Sequence, residues 1–195
     1  MATPYTKSEK RQVHPISIAI IKDPGTVPLE NKKAKTIAVS CLEWFNQNQE
    51  ALVTFIRTVR RQEDFSLRMV DWTTTNYSKR NRITIYHDGL PIDLHNDYRR
   101  YLAVFTKKYF DPFARRERLR LRIDPHKETL STTVGQLNFM RWLLQRHVHI
   151  KVQEMKKVIE LDMREYDGKK ASAPKDGGGE QQRFLVYSGP FRLIF

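Results

Sequence analysis

The chain has 195 residues, 39% of them hydrophobic, enough for one core of ordinary size or one core with long arms, and too little for two independent domains. Lys and Arg number 35 against 22 Asp and Glu, a net charge of +13, so the expected partners are polyanions or acidic protein surfaces. One cysteine, Cys41, excludes an internal disulfide and a cysteine-built zinc site and points to cytosol or nucleus. The longest early apolar run, residues 16–21, is too short for a membrane span or a signal-peptide core.

Residues 1–15 read as a flexible arm. Pro15 then leads into a β-branched run, residues 16–21, that predicts a strand, and Asp23-Pro24-Gly25 turns the chain. Ser40 and Glu43 have capping-box spacing and predict a helix start. Its buried stripe is Leu42, Phe45, Leu52, Phe55, Ile56 and Val59, and the polar stretch 46–49 divides it in two. Cys41, beside that stripe, is read as packing. Alternation in residues 65–70 predicts a strand, repeated in residues 82–86. Asp88-Gly89 is a turn signal with a returning strand over residues 90–94. A helix over residues 96–109 places Tyr98, Leu102, Phe105 and Tyr109 on one face, read as core and not as a platform for stacking bases.

The segment Arg118-Leu119-Arg120-Leu121-Arg122-Ile123 alternates without a fault. As a strand it sets three arginines on one face and three aliphatics on the other. Thr132 or Thr133 caps a helix carrying Val134, Leu137, Phe139 or Met140, and Leu143 or Leu144, and another helix runs over residues 149–166. Residues 167–182, rich in Gly, Lys and Ala, read as a linker. Beyond it stand Phe184, Leu185, Val186, Tyr187, Phe191, Leu193, Ile194 and Phe195, too apolar for water and too few to fold alone. This arm is expected to dock, either on its own core or as an added strand on a neighbouring subunit.

Signatures of catalysis are missing from this reading. Gly177-Gly178-Gly179 lies in the linker without a P-loop Lys-Ser/Thr, so nucleotide binding is not expected. His147 and His149 lack the i, i+4 spacing of a helical metal site, and neither His87-Asp88 nor Asp124-Pro125-His126 adjoins a nucleophile elbow. The charge, by contrast, is concentrated. Arg99, Arg100, Lys107, Lys108, Arg115, Arg116, Arg118, Arg120 and Arg122 face only Asp111 and Glu117 within residues 99–122. Arginine forks suit phosphate or carboxylate oxygens, and the two readings, phosphates or acidic subunits, stay open here. No helix-turn-helix, zinc-finger or RNA-recognition pattern appears, which disfavours sequence-specific nucleic-acid binding.

Three segments carry a resemblance: Trp72-Thr73-Thr74-Thr75-Asn76-Tyr77-Ser78-Lys79-Arg80-Asn81-Arg82, Phe110-Asp111-Pro112-Phe113-Ala114-Arg115-Arg116-Glu117-Arg118, and Thr132-Thr133-Val134-Gly135-Gln136-Leu137-Asn138-Phe139-Met140-Arg141-Trp142. Over residues 36–167 the chain resembles a virion-associated, minor capsid-type protein shared among nucleocytoplasmic large DNA viruses. The resemblance implies a small capsid or virion component whose partners are other capsid or virion proteins, and it brings no catalytic residues.

The expectation is an α+β domain over residues 16–166, a small mixed or antiparallel sheet packed with about four helices, followed by the linker 167–182 and the docking arm 183–195. No cofactor, metal or enzymatic activity is expected. The function expected is a minor structural protein of a large icosahedral DNA virus particle, made in host cytoplasm or nucleus and cementing capsid units beneath the shell. The alternative is non-sequence-specific DNA binding or packaging through the arginines.

Overall fold

The computed structural model describes residues 15–21, 31–125 and 127–172, with side chains described through residue 168. The N-terminal arm up to residue 14, the turn at Asp23-Pro24-Gly25, His126, and residues 173–195 with the whole docking arm lie outside the described residues.

The chain folds into α+β architecture with two small antiparallel sheets. β1 (Ser17–Ile20), β4 (Arg118–Asp124) and β5 (Glu128–Thr133) form one, in the order β1-β4-β5. β2 (Thr84–His87) and β3 (Leu90–Asp93) form a separate hairpin. Its turn residues Asp88 and Gly89 have φ of 51° and 76°, the left-handed pair that a two-residue hairpin turn demands. The helices are α1 (Lys32–Gln47), α2 (Gln49–Val59), α3 (Leu67–Trp72), α4 (Ser78–Asn81), α5 (Leu94–Tyr109), α6 (Val134–Gln145), α7 (Val148–Glu154) and α8 (Lys156–Ser172), with a π-helical turn (Thr73–Tyr77) between α3 and α4.

α6 is the centre of the core. Val134, Leu137, Phe139, Met140, Trp142, Leu143 and Leu144 are all buried, so this helix is apolar around most of its circumference, as a helix enclosed by neighbours must be. Against it pack α1, α2, α5 and α7. The inner face of the three-stranded sheet contributes Ile18, Leu119, Leu121, Ile123 and Leu130. Phe110, Phe139 and Trp142 form an aromatic cluster with ring centroids 5.4 to 5.5 Å apart, an edge-on and tilted arrangement that suits the ring quadrupoles.

Several expectations are corrected. Residues 65–70 are not a strand: Ser66 accepts from the Met69 N–H at 3.1 Å and caps α3, and Phe65, Met69 and Val70 are buried at helical spacing. α1 starts at Lys32, capped by Asn31, so Ser40 lies inside the helix, where its hydroxyl accepts from Arg141. The predicted division near residues 46–49 is present, with Asn48 between α1 and α2. The expected helix over 149–166 is two helices interrupted at Met155. α8 continues to Ser172, so residues 167–172, read as linker, are helical.

Candidate functional site

β4 presents the predicted two-faced pattern. Leu119, Leu121 and Ile123 are buried and Arg118, Arg120 and Arg122 are exposed on the outer face. Successive arginines on one face stand about 6.6 to 6.8 Å apart along a strand. Their cross-strand neighbours are small: Ser131 lies opposite Arg120, Thr129 opposite Arg122 on β5, and Ala19 opposite Arg122 on β1. Small side chains thus flank Arg122 on both sides and Arg120 on the β5 side.

The other basic residues reach this row from one end. Lys108 Nζ binds Glu117 Oε1 at 3.0 Å, and Glu117 immediately precedes Arg118. The Arg118 Nε–H donates to the Arg115 carbonyl at 3.3 Å. Lys108, Arg115, Glu117 and Arg118 are thus one patch. The hydrogen bond that the Lys108 ammonium donates to Glu117, and then its bond with Tyr109, raise its pKa above the ordinary value. Sequence reasoning missed Lys33, whose Nζ lies 5.7 Å from the Tyr109 ring centroid, with Lys108 Nζ at 5.0 Å from it. Arg99 and Arg100 lie eight and seven residues before Lys107 on α5, exposed and on the far side of the kink at Thr106, where φ is 61°.

The nine predicted cations are all exposed, and they divide by partner. Lys107 pairs with Asp111 at 4.0 Å and Arg122 Nε with Asp124 at 3.0 Å. Exposed pairs of this kind contribute about 0 to 1 kcal/mol, so they yield readily to an external carboxylate or phosphate. The guanidinium groups of Arg99, Arg100, Arg115 and Arg116 make no ion pair with any described residue.

Two other places gather reactive side chains. Asp71, beside the π-helical turn, has its carboxyl pushed up from 3.8 to about 6, first by burial and then by the Asp111 charge, with Lys107 opposing. Burial, followed by Asp71 and Asp111, pushes the Tyr98 hydroxyl up to about 12. This places two carboxyl groups, those of Asp71 and Asp111, close enough to act on one another. The second place is a groove of about 720 Å³ between the α1–α2 elbow and the α6–α7 junction, lined by Trp44, Gln49, Glu50, Gln145, His147 and His149 among others. Burial and then His147 keep the His149 ring below its ordinary pKa, so its neutral form is favoured. Among the described residues no group of three or more His, Cys, Asp or Glu is placed to hold a metal ion, and no helix is long and apolar enough to cross a membrane.

The second and third quoted segments meet in space, and the first packs on α5 beside them. Gln136 Nε2 donates to the Pro112 carbonyl at 3.1 Å and Asn138 Nδ2 to the Tyr109 carbonyl at 2.9 Å. α5 packs on the π-helical turn and on α6. They form the scaffold that holds the 110–118 loop, and so the basic patch, against the core.

The profile of a family described as "Family of unknown function (DUF7197)" matches residues 26–178. Uncharacterized protein L507 of Acanthamoeba polyphaga mimivirus is 30% identical over 131 residues, 63% of this chain and 51% of the relative, so the chain spans about half the length of that relative. No solved structure matches.

Proposed function

The chain belongs to this family of unknown function, its mimivirus relative supports an origin in a nucleocytoplasmic large DNA virus, and from that premise we propose that it is a structural component of the virus particle. In this reading it is a minor capsid-type protein that cements neighbouring units beneath the shell and works by binding, not by catalysis. The observation that carries the reading is the outer face of β4, with Arg118, Arg120 and Arg122 exposed on it, and the flanking patch in which Arg115 and Arg116 make no ion pair with any described residue. Such a face meets acidic surfaces of neighbouring proteins with little rearrangement, because the arginines stand on a fixed strand and their internal pairs are weak. The apolar segment 184–195 supplies a second attachment, docked on a neighbouring protein.

A second reading, non-specific DNA binding, is favoured by one feature: the cations are mostly arginine, whose fork engages phosphate in two hydrogen bonds. Stripping purified, nuclease-treated particles in stages separates the two. Release with shell proteins supports cementing, and release with the genome supports packaging. Absence from the particles removes both.

A further inference from the structure

The two edges of the three-stranded sheet are finished differently. Ile21 N–H donates to the Arg120 carbonyl and Val134 N–H to the Glu117 carbonyl, which with the register determines which residues turn their main-chain groups away from β4. On β1 these are Ile16, Ile18 and Ile20, and on β5 they include Thr129 and Ser131. At Ile16 and Ile18 the β1 edge is sealed by side-chain amides. Ile18 N–H donates to Asn46 Oδ1 at 2.8 Å, and Asn46 Nδ2 donates back to the Ile18 carbonyl at 3.1 Å. Gln49 repeats this at Ile16, with 3.0 and 2.9 Å. Each amide thus offers one acceptor and one donor to one residue, as the main chain of a neighbouring strand would.

No such seal covers β5. Thr129 and Ser131 are exposed, and no hydrogen bond engages their outward N–H and C=O groups among the described residues. An open edge is a template for another strand. Leu130 lies between them with its side chain buried on the inner face, so an added strand would lay alternate side chains beside an existing apolar surface.

We propose that the β5 edge is a strand-docking site and that its occupant is this chain's own segment 183–187. Chain length and composition select it. The sequence continues for 23 residues after Ser172, the end of α8. Residues 173–182 are polar and glycine-rich in sequence, and a flexible chain of that length would reach about 16 to 19 Å on root-mean-square average. Then come Arg183, Phe184, Leu185, Val186 and Tyr187, the first β-prone run beyond α8 and close in length to the six residues of β5. The polar residues 1–13 offer no comparable run. This inference deepens the virion reading by naming where the apolar segment docks, but its test needs only the purified full chain.

Hydrogen exchange at the Thr129 and Ser131 amides decides it. In the full chain both amides should exchange at least about tenfold more slowly than in the full-length variants Val186→Pro and Leu185→Asp, which cripple the incoming strand without touching the body. Unprotected Thr129 and Ser131 amides in the full chain, or protection that persists in both variants, would overturn the proposal. A dilution series identifies the donor molecule. Protection that fades on dilution means a neighbouring copy supplies the strand, and protection independent of concentration means the same chain does. Both results uphold the docking site, but the second removes the bridging role of the segment. Failure of the docking proposal leaves the particle experiment, and the virion reading, intact.

Discussion

A Cβ at Gly135 would lie 2.7 Å from Ala114 Cβ, 3.2 Å from the Lys108 carbonyl and 3.3 Å from that of Asp111. Two of these three neighbours are backbone and cannot swing aside. Gly135→Ala should therefore lower stability by about 1 to 3 kcal/mol, read as a fall in urea midpoint, by pushing the 110–118 loop off α6. An unchanged midpoint would mean that the close approach is not needed. Asp71 gives a pH-dependent test. Its folded pKa, about 6, lies above the ordinary 3.8, so its contribution to stability is full below 3.8 and is lost as pH rises through 6. Asp71→Asn keeps the site neutral and should gain on the parent chain as pH is raised from about 4 to 7, measured as the difference in urea midpoints. A difference that does not move with pH would show that Asp71 ionises as an exposed group. Neither residue was legible in the sequence. A glycine at a helix start and an aspartate at a helix end are ordinary locally, and only tertiary packing makes them special.

At the scale of elements, legibility followed the length and regularity of the pattern. β4 was readable because its six alternating residues, 118–123, have one consistent face, and no helix places Leu119, Leu121 and Ile123 together. Residues 65–70 misled because a short alternation also fits Phe65, Met69 and Val70 on a helix, and the Ser66 cap decides between them. The break at 46–49 was visible, whereas its purpose was not: Asn46 at the end of α1 and Gln49 at the start of α2 turn their amides onto the β1 edge, 28 and 33 residues away in sequence. Replacing both by leucine should remove exchange protection from the Ile16 and Ile18 amides and lower stability by about 1 to 3 kcal/mol. Retained protection would mean that other groups close this edge.

For the whole molecule, the basic region was legible as a charge count and as a strand face, and its division was not. Sequence could not reveal that Lys107, Lys108 and Arg122 have acidic partners while Arg99, Arg100, Arg115 and Arg116 pair with no described residue. Replacing those four by serine should change stability by no more than about 0.5 kcal/mol, since no buried contact is lost. The Arg118, Arg120, Arg122 triple serine variant should also fold, because Leu119, Leu121 and Ile123 are untouched. Thermal unfolding checks both variants. Binding to duplex DNA across a salt series then tests the second reading, which requires an affinity that falls steeply with salt and falls again in the four-serine variant.

The proposal that this chain joins neighbouring proteins inside a particle through its basic face is tested most directly by amine-reactive cross-linking of intact purified particles, followed by mass spectrometry. The exposed Lys107 and Lys108 sit within the patch and serve as reporters. The account predicts cross-links from these two lysines to other shell proteins. A chain missing from the particles, or one whose Lys107 and Lys108 cross-link to no other shell protein, would contradict it.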